Sequence, residues 1–133
     1  MKKPSRKSLV KKLDAAISVF IRTRDAPAQG GKCFYECGNR IECACHVIAK
    51  SRGGERSRFD PEDIVAGCSS CNVDERHHPS KYAAIFIRKR GAEKYLELED
   101  RAAVRPLLKH SPKELQALIS HYADKLKELD TES

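Results

Sequence analysis

At 133 residues and 15.0 kDa, with 34% charged against 40% hydrophobic residues and no Trp, the chain is long enough for one domain with a modest core. No run approaches the roughly 18 apolar residues of a membrane span, and the basic N-terminus lacks the apolar centre of a secretory signal, which points away from membrane and secreted classes and toward a reducing, cytoplasmic location. The formal charge of +7 is concentrated at one end: residues 1–24 hold eight of the 26 Lys and Arg and a single acid, Asp14, and the remainder is neutral. Such an arm suits a polyanion, and DNA is the expected partner, through phosphate contacts and counterion release. The plain alternative is a solvated tail.

In chain order, Leu9, Leu13, Ala16, Ile17, Phe20 and Ile21 recur at helical spacing and predict a helix over about 8–24. Lys11, Lys12, Arg22 and Arg24 fall on its polar sides. The run from Ala26 to Gly31, containing Pro27, Gly30 and Gly31, reads as a break that turns the chain into the cysteine region. All six cysteines follow between Cys33 and Cys71. Cys33-x3-Cys37-Gly38-Asn39 and Cys68-x2-Cys71 are short-spaced pairs, and in a reducing compartment paired thiols hold metal more readily than they form disulfides. Four thiolates in a tetrahedron are the usual shell of structural Zn²⁺, so Cys33, Cys37, Cys68 and Cys71 are its candidate ligands. The long gap between the pairs has a natural explanation if it carries a working hairpin.

Within that gap, Ile41–Lys50 reads as a strand bearing His46, Ser51-Arg52-Gly53-Gly54 as a flexible turn, and Arg58–Val65 as a loop entering a second strand. Cys43 and Cys45 point to one side of the first strand, with Ala44 and His46 opposite. Two readings stand for this pair: small buried hydrophobes, or, for Cys45, contact with a catalytic metal. Asn72–Arg76 begins a helical turn that His77-His78-Pro79-Ser80 interrupts. Lys81–Arg90 is a helix with Tyr82, Ile85 and Phe86 on one face and Gly91 as its stop. A further helix covers 92–104, and Pro106 marks the break after it. Ser111-Pro112-Lys113-Glu114 combines a capping serine, proline at the first position and a capping-box glutamate. Leu115, Leu118, Ile119, Tyr122, Leu126 and Leu129 form the apolar stripe of the helix it opens. The chain thus divides into a basic arm and helix (1–31), a zinc-stabilised core (32–91) and C-terminal helices packing on that core (92–133).

A histidine on a hairpin, followed by a helix opening just past a zinc pair, resembles the HNH, or ββα-metal, nuclease finger. The matching residues are His46, the stretch from Gly53-Gly54 to Asp63, and Cys68-Ser69-Ser70-Cys71-Asn72. Cys-x2-Cys-Asn is also similar to the phage endonuclease VII type of junction resolvase. A longer resemblance, covering most of the chain, is to the NinG (Rap) recombination nucleases of lambdoid phages. It rests on Ser18–Asp25, Cys45-His46-Val47-Ile48, Arg58-Phe59-Asp60, Cys68–Asn72, Tyr82, Gly91 and the terminal helix Ser111–Leu129. The resemblance implies an α+β, mainly helical domain built around a zinc-stabilised HNH finger. It implies hydrolysis of phosphodiester bonds in branched or single-stranded DNA intermediates in the host cytoplasm, and a homodimer would suit symmetric cutting of two strands.

The same resemblance assigns roles. His46 becomes the general base. Asn72 is the first ligand of a catalytic Mg²⁺ or Mn²⁺, with His78 or His77 as a second and Cys45 as a further candidate. Arg52, Arg56 and Arg58 hold flanking phosphates; apart from the resemblance, the placing of charge on the helices makes Arg22, Arg24 and Lys81 further candidates for basic contacts. Asp63 stands where the family usually has asparagine, and its implied part is to orient His46 or reach the metal. The competing reading is a non-catalytic zinc-stabilised DNA-binding module; a purely structural zinc domain is a third.

Overall fold

A computed structural model describes residues 3–104 and 109–132, and the break expected at Pro106 lies outside these described residues. The first helix, α1 (Arg6–Gln29), starts where the Ser8 N–H donates to Ser5 Oγ at 3.1 Å. It buries Leu9, Leu13, Ile17 and Ile21, as the apolar spacing requires. It does not stop near residue 24: it runs on through Pro27 and ends at Gly30, whose φ of 61° is the left-handed stop. The reason is tertiary. Buried Asp25 accepts the Ala66 N–H at 3.1 Å, and Arg24 donates to the carbonyls of Pro61 and Ile64 at 3.0 Å each, so the last turns are held down despite a residue that breaks isolated helices.

The centre of the molecule is a two-stranded antiparallel sheet, β1 (Cys43–His46) with β2 (Ile64–Gly67), registered Cys43 to Gly67 and His46 to Ile64. Between the strands run α2 (Lys50–Arg58) and a 3₁₀ turn at Pro61–Asp63. After β2 come α3 (Ser69–Asp74), α4 (Pro79–Arg90), α5 (Ala92–Val104) and α6 (Pro112–Glu132). The fold is therefore mainly helical α+β with a small sheet. The capping box at the start of α6 forms as expected: the Glu114 N–H donates to Ser111 Oγ at 3.1 Å, and the Ser111 N–H donates to Glu114 Oε1 at 2.9 Å.

The segment from Ser51 to Gly54, expected as a flexible turn, is part of α2, which bends at Gly54 (φ 60°, ψ −152°). Packing overrides weak local propensity here. A Cβ at Gly53 would lie 1.8 Å from Ser57 Oγ and 3.2 Å from the Ala102 side chain, so the glycine is what lets α2 close on α5. Glu55, on the same helix, accepts the His110 N–H at 2.7 Å and is paired with Arg6.

The sheet separates two buried clusters, as its two-residue side-chain alternation dictates. Ala44, Ile64 and Ala66 lie with Leu13, Ile17 and Ile21 of α1 and with Leu115 and Tyr122 of α6. Cys45 and Val65 lie with Phe34, Tyr35, Tyr82, Phe86 and Leu98 on the other side. Gly67 is a second close approach: a Cβ there would stand 2.7 Å from Cys45 Sγ. Gly67→Ala is therefore expected to cost about 1–3 kcal/mol by overpacking, with part recovered in Gly67→Ala/Cys45→Ala. Urea unfolding of the two variants measures both terms, and an unchanged midpoint for the single variant would contradict this packing. Among the described residues, no helix is long and apolar enough to cross a membrane.

Candidate functional site

Cys33, Cys37, Cys68 and Cys71 converge from a knuckle and from the start of α3, with their sulfur atoms all within 4.8 Å of one another. Tetrahedral ligation with Zn–S bonds of about 2.3 Å puts sulfurs roughly 3.8 Å apart, so the set has the right size for one ion. The knuckle is closed by the Cys33 N–H, which donates to the Asn39 carbonyl at 2.8 Å, and by pairing of Lys32 with Arg40. Its turn needs a positive φ at Glu36 (58°) and at Gly38 (86°). Burial opposes ionisation of Cys68, but the Asn39 side-chain amide (3.5 Å) and the Cys71 N–H (3.4 Å) donate to its sulfur and bring the thiol down to about 7. Donors aimed at a sulfur are the outer support that a thiolate ligand uses. All six cysteines are free thiols, and these four could hold a structural metal such as zinc.

On the opposite face of the sheet, a cavity of about 530 Å³ opens between α1, β1, α2 and α3. His46 lines it from the end of β1, and its Nε2 lies 2.9 Å from the Arg58 carbonyl oxygen. A carbonyl only accepts, so Nε2 carries the proton and Nδ1 is the acceptor of a neutral ring. Burial pushes His46 below its ordinary pKa, which keeps the ring neutral at pH 7. The geometry therefore supplies a neutral imidazole with a fixed tautomer.

Of the residues singled out from the sequence, His46, Asn72, Arg52 and Arg58 line this cavity together. Arg52 and Arg58 arrive already paired, Arg52 with Glu99 at 2.7 Å and Arg58 with Asp14. Arg24 is engaged with Asp25, and Arg56 Nε is buried without a hydrogen-bond partner. Cys45 is enclosed in the core behind the strand, its sulfur 3.9 Å from that of Cys43. His78 donates to or accepts from Asp74 at 3.0 Å on the surface, and Lys81 lies 3.6 Å from the same carboxylate; neither lines the cavity. Among the charged lining residues, the sequence reading did not single out four for the site: Asp14, Lys50, Glu75 and Arg76. Glu75 and Arg76 follow Asn72 by three and four positions, the spacing that shares one helical face, which was an available signal. Burial alone pushes the Glu75 carboxyl up to about 7.

Asp63 does not line the cavity but braces the strand that carries His46. Its Oδ1 accepts the Ile48 N–H at 2.8 Å and its carbonyl accepts the Val47 N–H at 2.7 Å, while Oδ2 is buried without a partner. Burial pushes its carboxyl from 3.8 to about 9. A folded-state value above the unfolded one means the protonated group favours the fold: that contribution is complete below about pH 4 and is lost as pH rises toward 9. Asp63→Asn retains the acceptor and removes the ionisation, so its stability is expected to vary less with pH between 4 and 9. Thermal melts across that window test this; parallel profiles for wild type and variant would refute it.

A family model described as Bacteriophage Lambda NinG protein matches residues 1–132. The chain belongs to the NinG family. The four-cysteine cluster and the His46 cavity therefore lie in a NinG-family chain. No curated protein and no solved structure matches this NinG-family chain.

Proposed function

We propose that this NinG-family protein is a metal-dependent DNA endonuclease of the HNH type, hydrolysing phosphodiester bonds in branched or single-stranded recombination intermediates. The observation that carries the reading is His46, held as a neutral base with Nδ1 as its acceptor, in a cavity whose Lys50 and Arg76 have no carboxylate partner among the described residues. His46 Nδ1 takes a proton from water as the water oxygen bonds to phosphorus and the ester P–O bond to the leaving oxygen breaks. The Arg58 carbonyl accepts the hydrogen bond from Nε2–H throughout and steadies the imidazolium that forms. Lys50 and Arg76 hold the flanking phosphates.

The donor set fits a hard divalent cation. Asn72 offers an amide oxygen, and Glu75, one helical turn on, is a carboxyl whose pKa is raised by burial with no cation offsetting it. Mg²⁺ or Mn²⁺ held there would offset the charge that develops on the phosphate and leaving oxygen. Glu75 replaces His78 as the second ligand, because His78 lies outside the cavity.

Linear duplex, single-stranded and four-way-junction DNA, incubated with the zinc-loaded protein with and without Mg²⁺ or Mn²⁺, test the reading. Cleavage that requires the added cation supports it. Salt-sensitive binding without cutting of any substrate would overturn it in favour of a zinc-stabilised DNA-binding module.

A further inference from the structure

The basic N-terminal segment is not evenly arranged round α1. Lys7, Lys11, Asp14, Ser18 and Arg22 follow one another at steps of three or four residues, which places them along one face. Asp14 and Ser18, in the middle of that row, line the His46 cavity. The Arg22 side chain folds along the same face, its Nε donating to the Ser18 carbonyl at 3.3 Å. The one acid in the row, Asp14, is paired with Arg58. Among the described residues, Lys7, Lys11 and Arg22 take part in none of the ion pairs, whereas Arg6 and Arg24, on other sides of the helix, are paired with Glu55 and Asp25. Lys12, about 120° round the helix from Ser18, also takes part in none of these ion pairs; Lys7, Lys11 and Arg22 are the three free charges of α1 in line with the cavity.

We infer that a DNA duplex lies along α1, its phosphate backbone held by Lys7 and Lys11 on one side of the His46 cavity and by Arg22 on the other. This deepens the nuclease reading and rests on DNA being the substrate. A rise of about 1.5 Å per residue puts Lys7 and Arg22 about 22 Å apart, or roughly six to seven base pairs of duplex. The contacts are divided: some 16 Å separate Lys11 from Arg22, with the cavity between them. A duplex, stiff over about 150 base pairs, bridges such a gap without losing freedom, while a flexible single strand must be ordered across it.

The test is binding, measured so that cleavage plays no part. Anisotropy of a fluorescent 20-base-pair duplex is followed against salt, with full-length zinc-loaded protein and no added Mg²⁺ or Mn²⁺. The variant Lys7→Ala/Lys11→Ala/Arg22→Ala is compared with Lys12→Ala/Lys113→Ala/Lys127→Ala. The second removes the same charge from exposed positions elsewhere, Lys12 standing about 120° round the helix from Ser18. Loss of three phosphate contacts is expected to make the slope of log affinity against log salt shallower by about 2.7 in the first variant only. Melting temperatures like wild type confirm that both variants fold, Arg22 being half-buried and the other five positions exposed helical sites that suit alanine. Equal weakening in the two variants, or none in the first, overturns the inference. So does an equal loss of affinity for a single strand of the same length, which removes the duplex assignment. A protein that binds as described but cuts nothing leaves this inference standing and removes only the nuclease reading.

Discussion

Cys68→Ser/Cys71→Ser is expected to abolish the cooperative fold of this protein rather than weaken it. The four-sulfur cluster is a junction within one buried cluster: Cys33, Cys68 and Cys71 are packed with Phe34, Tyr35 and Tyr82. It joins the knuckle to the start of α3 across 30 intervening residues, so its loss frees both ends of the inserted β1–α2–β2 segment. Apparent binding free energies of structural zinc run about 10–16 kcal/mol, against a total stability of about 5–15 kcal/mol for a domain. Removing two of four ligands thus exceeds what the remaining core offsets. Metal analysis is expected to give about one zinc per chain in wild type and none in the variant, whose thermal melt loses its sigmoid. Cys43→Ser, outside the shell, keeps both the zinc and the melt. A double variant that is free of zinc and melts like wild type would show that the aromatic cluster alone holds the domain.

His46→Ala is expected to lower the cleavage rate about 10²–10⁴-fold while leaving DNA affinity within about twofold, because a general base acts on the bond-making step and not on phosphate binding. The pH dependence separates this role from simple packing. Activity needs the neutral ring, so it rises with pH through the pKa of His46 and is complete above it. Since burial holds that pKa below 6.5, the acid limb of the wild-type profile lies below that of an exposed histidine. Stopped cleavage assays from pH 5 to 8, on wild type and on His46→Ala, read both features. A variant that cuts at the wild-type rate, or an acid limb above pH 7, removes His46 as the base.

How much of this was legible in the chain depended on the range of the interaction involved. Helices α4, α5 and α6 fall close to where their stripes and stops place them, because periodicity, Gly91 and the Ser111 capping box act within a few residues. The convergence of the four cysteines was readable for a different reason: a soft divalent ion requires a fixed number of thiolates whatever the path between them. The end of α1 and the nature of α2 were not readable. Pro27 and the Gly53-Gly54 pair signal breaks locally, and only Arg24 and Asp25 gripping β2, or Gly53 closing on Ala102, reverse that preference.

The cavity shows the same division. Composition and spacing alone determined that this is a basic, cysteine-clustered chain rich in helical periodicity, because residue type and short-range order carry those properties; chemistry at His46 and Asn72 was implied only by the family resemblance. Which charges remain free was decided only by the tertiary structure. Arg24, Arg52 and Arg58 find carboxylates, those of Arg52 and Arg58 more than 40 positions away, whereas Lys50, Arg76 and the Lys7–Lys11–Arg22 face do not. The tautomer of His46 likewise depends on a carbonyl 12 residues further along the chain. A side chain's availability for a phosphate is set by its neighbours in space, and those neighbours exist only once α1, α2 and α5 have packed around the sheet.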